Sequence, residues 1–134
     1  MFNNSSVLPL GFDPILHQIL KIIRSLDINK SHGYDNISVR MLKICDSSII
    51  KPLLIIFQNS LNKGVFPLNW KKGNITPIHK KGDKDVIKNY RPISILPIFG
   101  KIFEKLIFNA LYSYLNDNHL LHINQSGFRA GDSC

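Results

Sequence analysis

Asn74-Ile75-Thr76-Pro77-Ile78-His79-Lys80-Lys81-Gly82-Asp83-Lys84-Asp85 decides the fold class of this chain. Its first six residues alternate weakly between apolar and polar, as a strand does. Residues 80–85 read as a hairpin tip, with Gly82 supplying the freedom a tight turn needs. Ile93-Ser94-Ile95-Leu96 reads as the returning strand. Arg91-Pro92 just before it argues for an edge position, because proline donates no ladder hydrogen bond. Pro67, Gly73, Pro77, Gly82, Pro92 and Pro97 exclude one long helix through this region.

Helical patterns lie on both sides. Downstream, Ile98, Ile102, Leu106, Ala110 and Tyr114 form one row, and Phe99, Phe103, Ile107, Leu111 and Leu115 the next. Together they make the wide apolar stripe of a core-facing helix, with Lys101, Glu104, Lys105 and Asn109 off it. Upstream, Asp13 as cap and Pro14 in the first turn open a helix carrying Ile15, Leu16, Ile19, Leu20, Ile23 and Leu26 at helical spacing. The polar stretch 29–36 breaks the pattern. A short helix over 38–45 follows, then one over 50–63 with Pro52 near its start and Gly64 just past its end. Residues 1–11 read as a flexible lead-in and 124–134 as a polar loop. The expectation is a helix-rich α+β unit over residues 12–134.

Of the 134 residues 44% are hydrophobic and 19% charged, which supplies a core and argues against global disorder. The longest unbroken apolar run, Leu53-Leu54-Ile55-Ile56-Phe57, cannot span a bilayer. Met1-Phe2-Asn3-Asn4-Ser5-Ser6 lacks the basic start and apolar stretch of a signal peptide, so an intracellular location, in cytoplasm or nucleus, and no membrane partner are expected. Cys45 and Cys134 form no metal or disulfide pattern. His119 and His122 are three apart, but no second pair completes four ligands. The formal net charge is +8, and residues 63–105 hold +7 of it in ten Lys/Arg against three Asp/Glu. Such a block favours polyanions: nucleic acid, nucleotides or an acidic surface. A solvated basic face is the alternative.

Six segments in order resemble a known family. They are Lys30-Ser31-His32-Gly33-Tyr34-Asp35-Asn36-Ile37-Ser38, Leu42-Lys43, Trp70-Lys71 with Ile75-Thr76-Pro77-Ile78-His79-Lys80-Lys81-Gly82-Asp83, Asn89-Tyr90-Arg91-Pro92-Ile93-Ser94, Lys101-Ile102-Phe103-Glu104-Lys105, and Gln125-Ser126-Gly127-Phe128-Arg129 continuing to Cys134. In this order they resemble the reverse transcriptases of non-LTR retrotransposons, nearest the jockey-like branch. The resemblance implies the fingers and the start of the palm of a right-hand polymerase, truncated. The parent activity would be RNA-directed DNA synthesis, with RNA template, DNA primer and deoxynucleoside triphosphate as partners.

In that family a fingers lysine and the arginine beside the "RP" motif engage the incoming triphosphate. The matching positions are Arg91 and one of Lys80 and Lys81; an ion pair of Arg91 with Asp83 or Asp85 is the structural alternative. Gln125, Gly127, Phe128 and Arg129 would lie beside the templating base or nucleotide. Asp35 reads as a turn residue and Trp70 as a core anchor. The family's two-metal chemistry uses aspartates beyond the Gly-Phe-Arg segment, and this chain has no Asp-Asp dipeptide. No catalytic residue is expected here. Mg²⁺ is expected in the full-length parent only, with none bound by this chain. The rival readings are a non-catalytic nucleic-acid-binding module and a relic. If the palm sheet is absent, part of the last helix's apolar face should be exposed and favour self-association.

Overall fold

A computed structural model describes residues 12–122 and positions 125 and 127. Among the described residues four α-helices and one hairpin make a helix-rich α+β fold. The first helix, α1, spans Phe12–Ser25, so it starts one residue before the expected cap Asp13. Ile15, Ile19, Ile22 and Ile23 fall on its inner face and are buried. Its last turn is closed from outside: the Lys43 ammonium donates to the Arg24 carbonyl at 3.0 Å, satisfying an acceptor that the helix leaves open.

Ser38 caps α2, Val39–Cys45, by accepting the Met41 amide on its hydroxyl at 3.2 Å. A 3₁₀ turn, Asp46–Ile49, leads into α3, Ile50–Lys63. Gly64 ends α3 in the left-handed region at φ 61°, its amide donating to Leu61, while Val65 donates to Ser60 at 3.0 Å. A second 3₁₀ turn, Leu68–Lys71, sets Trp70 against the core. The Trp70 ring meets Phe57 edge-on at 5.7 Å and Phe103 at 6.0 Å, and Phe57 stacks on Phe103 at 4.8 Å. Trp70 is thus the anchor its sequence context implied.

The last helix, α4, spans Ile98–Asp117. Ile98, Ile102, Phe103 and Leu106 complete the core with α1, α2 and α3. The apolar stripe is buried over its first turns and exposed beyond them, as part of that face was expected to be. Ile107, Phe108, Leu111 and Tyr114 are exposed. The reason is length. A 20-residue helix runs about 30 Å, whereas its 14-residue neighbours α1 and α3 run about 21 Å, so nothing among the described residues covers the far end.

Strands β1, Asn74–His79, and β2, Tyr90–Ile95, pair antiparallel from Asn74↔Ile95 to His79↔Tyr90. The returning strand thus begins three residues earlier than Ile93, and it includes Arg91-Pro92. Both prolines are accommodated by the register. Pro77 faces Pro92, and Lys80, three pairs further along, donates its amide to Asn89 at 2.7 Å. Hydrogen-bonded pairs alternate, so Pro77 and Pro92 occupy a pair whose N–H positions point away from the partner strand. No ladder bond is lost, and each outer edge carries a residue that cannot donate a hydrogen bond to another strand. No helix among the described residues is long and apolar enough to cross a membrane.

Candidate nucleic-acid interface

Side chains alternate between the faces of a strand, and directly opposite residues share a face. Thr76, Ile78, Arg91, Ile93 and Ile95 therefore lie on one side of the hairpin. That side overlooks a cleft of about 470 Å³ whose opposite wall is Leu26, Ile37, Val39 and Ile98, with Lys30 and Lys101 at its margin. The Lys80–Asn89 hydrogen bond continues the register one pair past β1 and β2. Lys80 consequently falls on the Arg91 face, while Lys81 lies beyond the ladder. Lys80 and Arg91 are diagonal cross-strand neighbours, a separation of about 7–8 Å.

All seven cations between Lys71 and Arg91 are exposed: Lys71, Lys72, Lys80, Lys81, Lys84, Lys88 and Arg91. Among the described residues no carboxylate forms an ion pair with Lys80, Lys81 or Arg91. The alternative of Arg91 bound to Asp83 or Asp85 is not what the structure contains. Asp83 instead accepts the Asp85 amide at 3.2 Å, an aspartate turn of the tip. Lys72 is partly engaged, its ammonium 5.9 Å from the centre of the Tyr34 ring. Two unpaired cations on one face can take an anion with several oxygens, and the arginine fork suits phosphate oxygens in particular.

Three consecutive carbonyls at the tip are each held by a side chain from the strand ends. His79 Nε2 lies 3.0 Å from the Gly82 oxygen, Asn89 Nδ2 donates to the Asp83 oxygen at 2.7 Å, and the Tyr90 hydroxyl donates to the Lys84 oxygen at 2.9 Å. His79 and Tyr90 also meet edge to face at 5.3 Å. The sequence reading missed these three. A polar or aromatic residue at each end of a Lys-Gly-Asp turn was the available signal.

Gly33 was also unassigned. It is buried, and a Cβ there would sit 2.7 Å from the Pro97 nitrogen and 2.8 Å from its Cα. The polar loop is thereby docked on the start of α4. Asp35 accepts the Ile37 amide at 3.3 Å and Asn36 takes φ 58°, which is turn chemistry as expected. Gln125 donates its amide to His122 at 3.0 Å and its side chain to Gly127 at 3.4 Å. An added Cβ at Gly127 would meet nothing within 4 Å among the described residues. Phe128 and Arg129 lie outside the described residues, as does Cys134. Among the described residues no three His, Cys, Asp or Glu side chains converge as metal ligands.

No protein-family model matches the chain. Comparison with individual proteins does identify its class: over most of its length it is related to RNA-directed DNA polymerases of mobile elements. It is 36% identical over 126 residues, 92% of its length, to "Probable RNA-directed DNA polymerase from transposon BS" of Drosophila melanogaster. It is 34% identical over 115 residues to "RNA-directed DNA polymerase from mobile element jockey" of the same species, and 34% identical over 121 residues to "Probable RNA-directed DNA polymerase from transposon X-element". The chain belongs to the jockey-like, non-LTR retrotransposon family of these proteins. It spans only 14% of the length of the first relative and 13% of the next two.

Proposed function

We propose that the chain is the fingers, with the start of the palm, of a right-hand RNA-directed DNA polymerase of a retrotransposon. Residues 12–134 are the part of the unit it supplies. Lys80 and Arg91 hold the triphosphate of the incoming deoxynucleotide. Lys81 and the remaining cations of residues 71–91 follow the backbone of the RNA template and DNA primer. Gln125, Gly127, Phe128 and Arg129 lie near the templating base. The carrying observation is the placement of Lys80 and Arg91 on one hairpin face without a carboxylate partner among the described residues. Cations so placed neutralise charge that accumulates on phosphate oxygens during transfer.

Mg²⁺ would supply Lewis-acid stabilisation and activate the attacking hydroxyl in the whole polymerase. The described carboxylates do not fit it, since they do not converge and Asp83 is engaged in its own turn. What these residues do is bind and orient phosphates. An intracellular setting, in cytoplasm or nucleus, accords with such partners.

A second reading, a nucleic-acid-binding module without catalysis, is favoured by the exposure of all seven cations between Lys71 and Arg91. Titration with inorganic tripolyphosphate and with single-stranded RNA, following backbone amide shifts, separates the two. Triphosphate shifts centred on Lys80 and Arg91 support the polymerase reading. RNA binding with no triphosphate site supports the module.

A further inference from the structure

The tip of the hairpin is a constructed loop. Its backbone from Gly82 to Lys84 directs three carbonyls in succession toward the strand ends, where His79, Asn89 and Tyr90 meet them. Asn89 differs from the other two in holding the loop at both ends. Its backbone oxygen accepts the Lys80 amide at 2.7 Å, and its side-chain nitrogen donates to the Asp83 oxygen at 2.7 Å. Gly82 sits at φ 85°, and a Cβ there would lie 2.8 Å from that same nitrogen. The loop is therefore packed on Asn89 as well as bonded to it.

We infer that Asn89 is a positioning residue that keeps Lys80 beside Arg91. This rests on the reading of Lys80 and Arg91 as the triphosphate pair. Lys80 lies one residue past β1, so its place on the Arg91 face depends on a single ladder bond to Asn89. Such a terminal pair frays unless the following turn is closed. The Asn89 amide closes it by tying Asp83 back to the second strand. Without that tie the Lys80 backbone regains its freedom, and ordering it again opposes binding. The His79 and Tyr90 side chains hold the Gly82 and Lys84 carbonyls and make no hydrogen bond to Lys80.

A double-mutant cycle on the 134-residue chain tests this, with inorganic tripolyphosphate as probe. Asn89→Leu removes the donor at similar size without adding charge. The expected result is a loss of affinity of about fivefold in the native background and no further loss in a Lys80→Ala background, because Asn89 acts through Lys80. Tyr90→Phe, which frees only the Lys84 carbonyl, should leave affinity within about twofold. Amide exchange at Lys80 should quicken in Asn89→Leu, while the thermal midpoint stays near that of the native chain. Equal losses in both backgrounds, or no loss in either, overturn the inference while the triphosphate reading stands. Failure of the native chain to bind tripolyphosphate overturns that reading first, and the inference with it.

Discussion

Arg91 stands directly opposite Ile78 across the hairpin, so its side chain shares a face with the apolar wall of the cleft below. An arginine on such a wall can lay its aliphatic stem along the isoleucines and keep its charged end at the rim. It is held there without an ion pair among the described residues. A cation whose place is set by register and whose charge is uncommitted is available to a ligand.

Nucleic-acid binding by residues 71–91 should depend steeply on salt. If about three or four of the seven exposed cations contact phosphates, log K against log salt should fall with a slope of about −2 to −4, according to strandedness. Fluorescence anisotropy with a labelled oligonucleotide at several salt concentrations measures it. A slope near zero excludes the phosphate contacts.

Arg91→Ala should impair triphosphate use and leave stability alone. One charge-assisted contact is worth about 1.5–3 kcal/mol. In a chimaera carrying this chain within a jockey-like polymerase, kcat/KM for the nucleotide should fall about ten- to a hundredfold. Unfolding of the isolated variant should shift by no more than about 0.5 kcal/mol, since the exposed side chain has no ion-pair partner among the described residues. Unchanged nucleotide kinetics would leave Arg91 without the assigned role. Lys80→Ala should lose more than Lys81→Ala, because only Lys80 shares the Arg91 face.

Gly33→Ala should destabilise the fold by about 1–3 kcal/mol, the usual cost of overpacking. The added methyl would press on the Pro97 and Leu96 backbone, which cannot swing aside as a flexible side chain does. Urea unfolding monitored by Trp70 fluorescence measures the change. A neutral result would mean that the loop over residues 30–38 lifts freely from α4.

The far end of α4 should drive self-association. Phe108 is 46% exposed, Leu111 54% and Tyr114 59%, on consecutive turns of one helix. A contiguous apolar patch of this kind favours contact with another copy. Sedimentation velocity should show mass rising with concentration, and Leu111→Glu should restore the monomer without lowering the thermal midpoint. A native chain that stays monomeric across the concentration range would refute it.

The helices and β1 were legible in local pattern. Side chains at a 3.6-residue period must share a face, so Ile15, Ile19 and Ile23 announced α1, and Pro52 with Gly64 bracketed α3 within their known positional preferences. Ordered resemblance over six segments identified the family, and the relatives bear that out. The returning strand was harder. β1 and β2 are exposed on both faces, so neither carries the strong alternation that one buried face imposes. Pro92 was read as marking an edge strand, and the start of β2 was placed after it, because a proline's tolerance depends on which way its missing N–H would have pointed. That direction is a property of the pair, and no single strand contains it.

Composition, charge and helical period were settled by the sequence alone, because each depends on residues near one another in the chain. Three matters were left to the tertiary structure. Which lysine accompanies Arg91 was decided by register, since a slip of one residue would exchange Lys80 for Lys81. How far the apolar stripe of α4 is buried was decided by the lengths of its neighbours α1 and α3. The need for glycine at position 33 was decided by the Pro97 backbone, which is distant in sequence and brought into contact only when the helices pack. Each is a relation between segments that meet only after folding, so no local pattern could carry it.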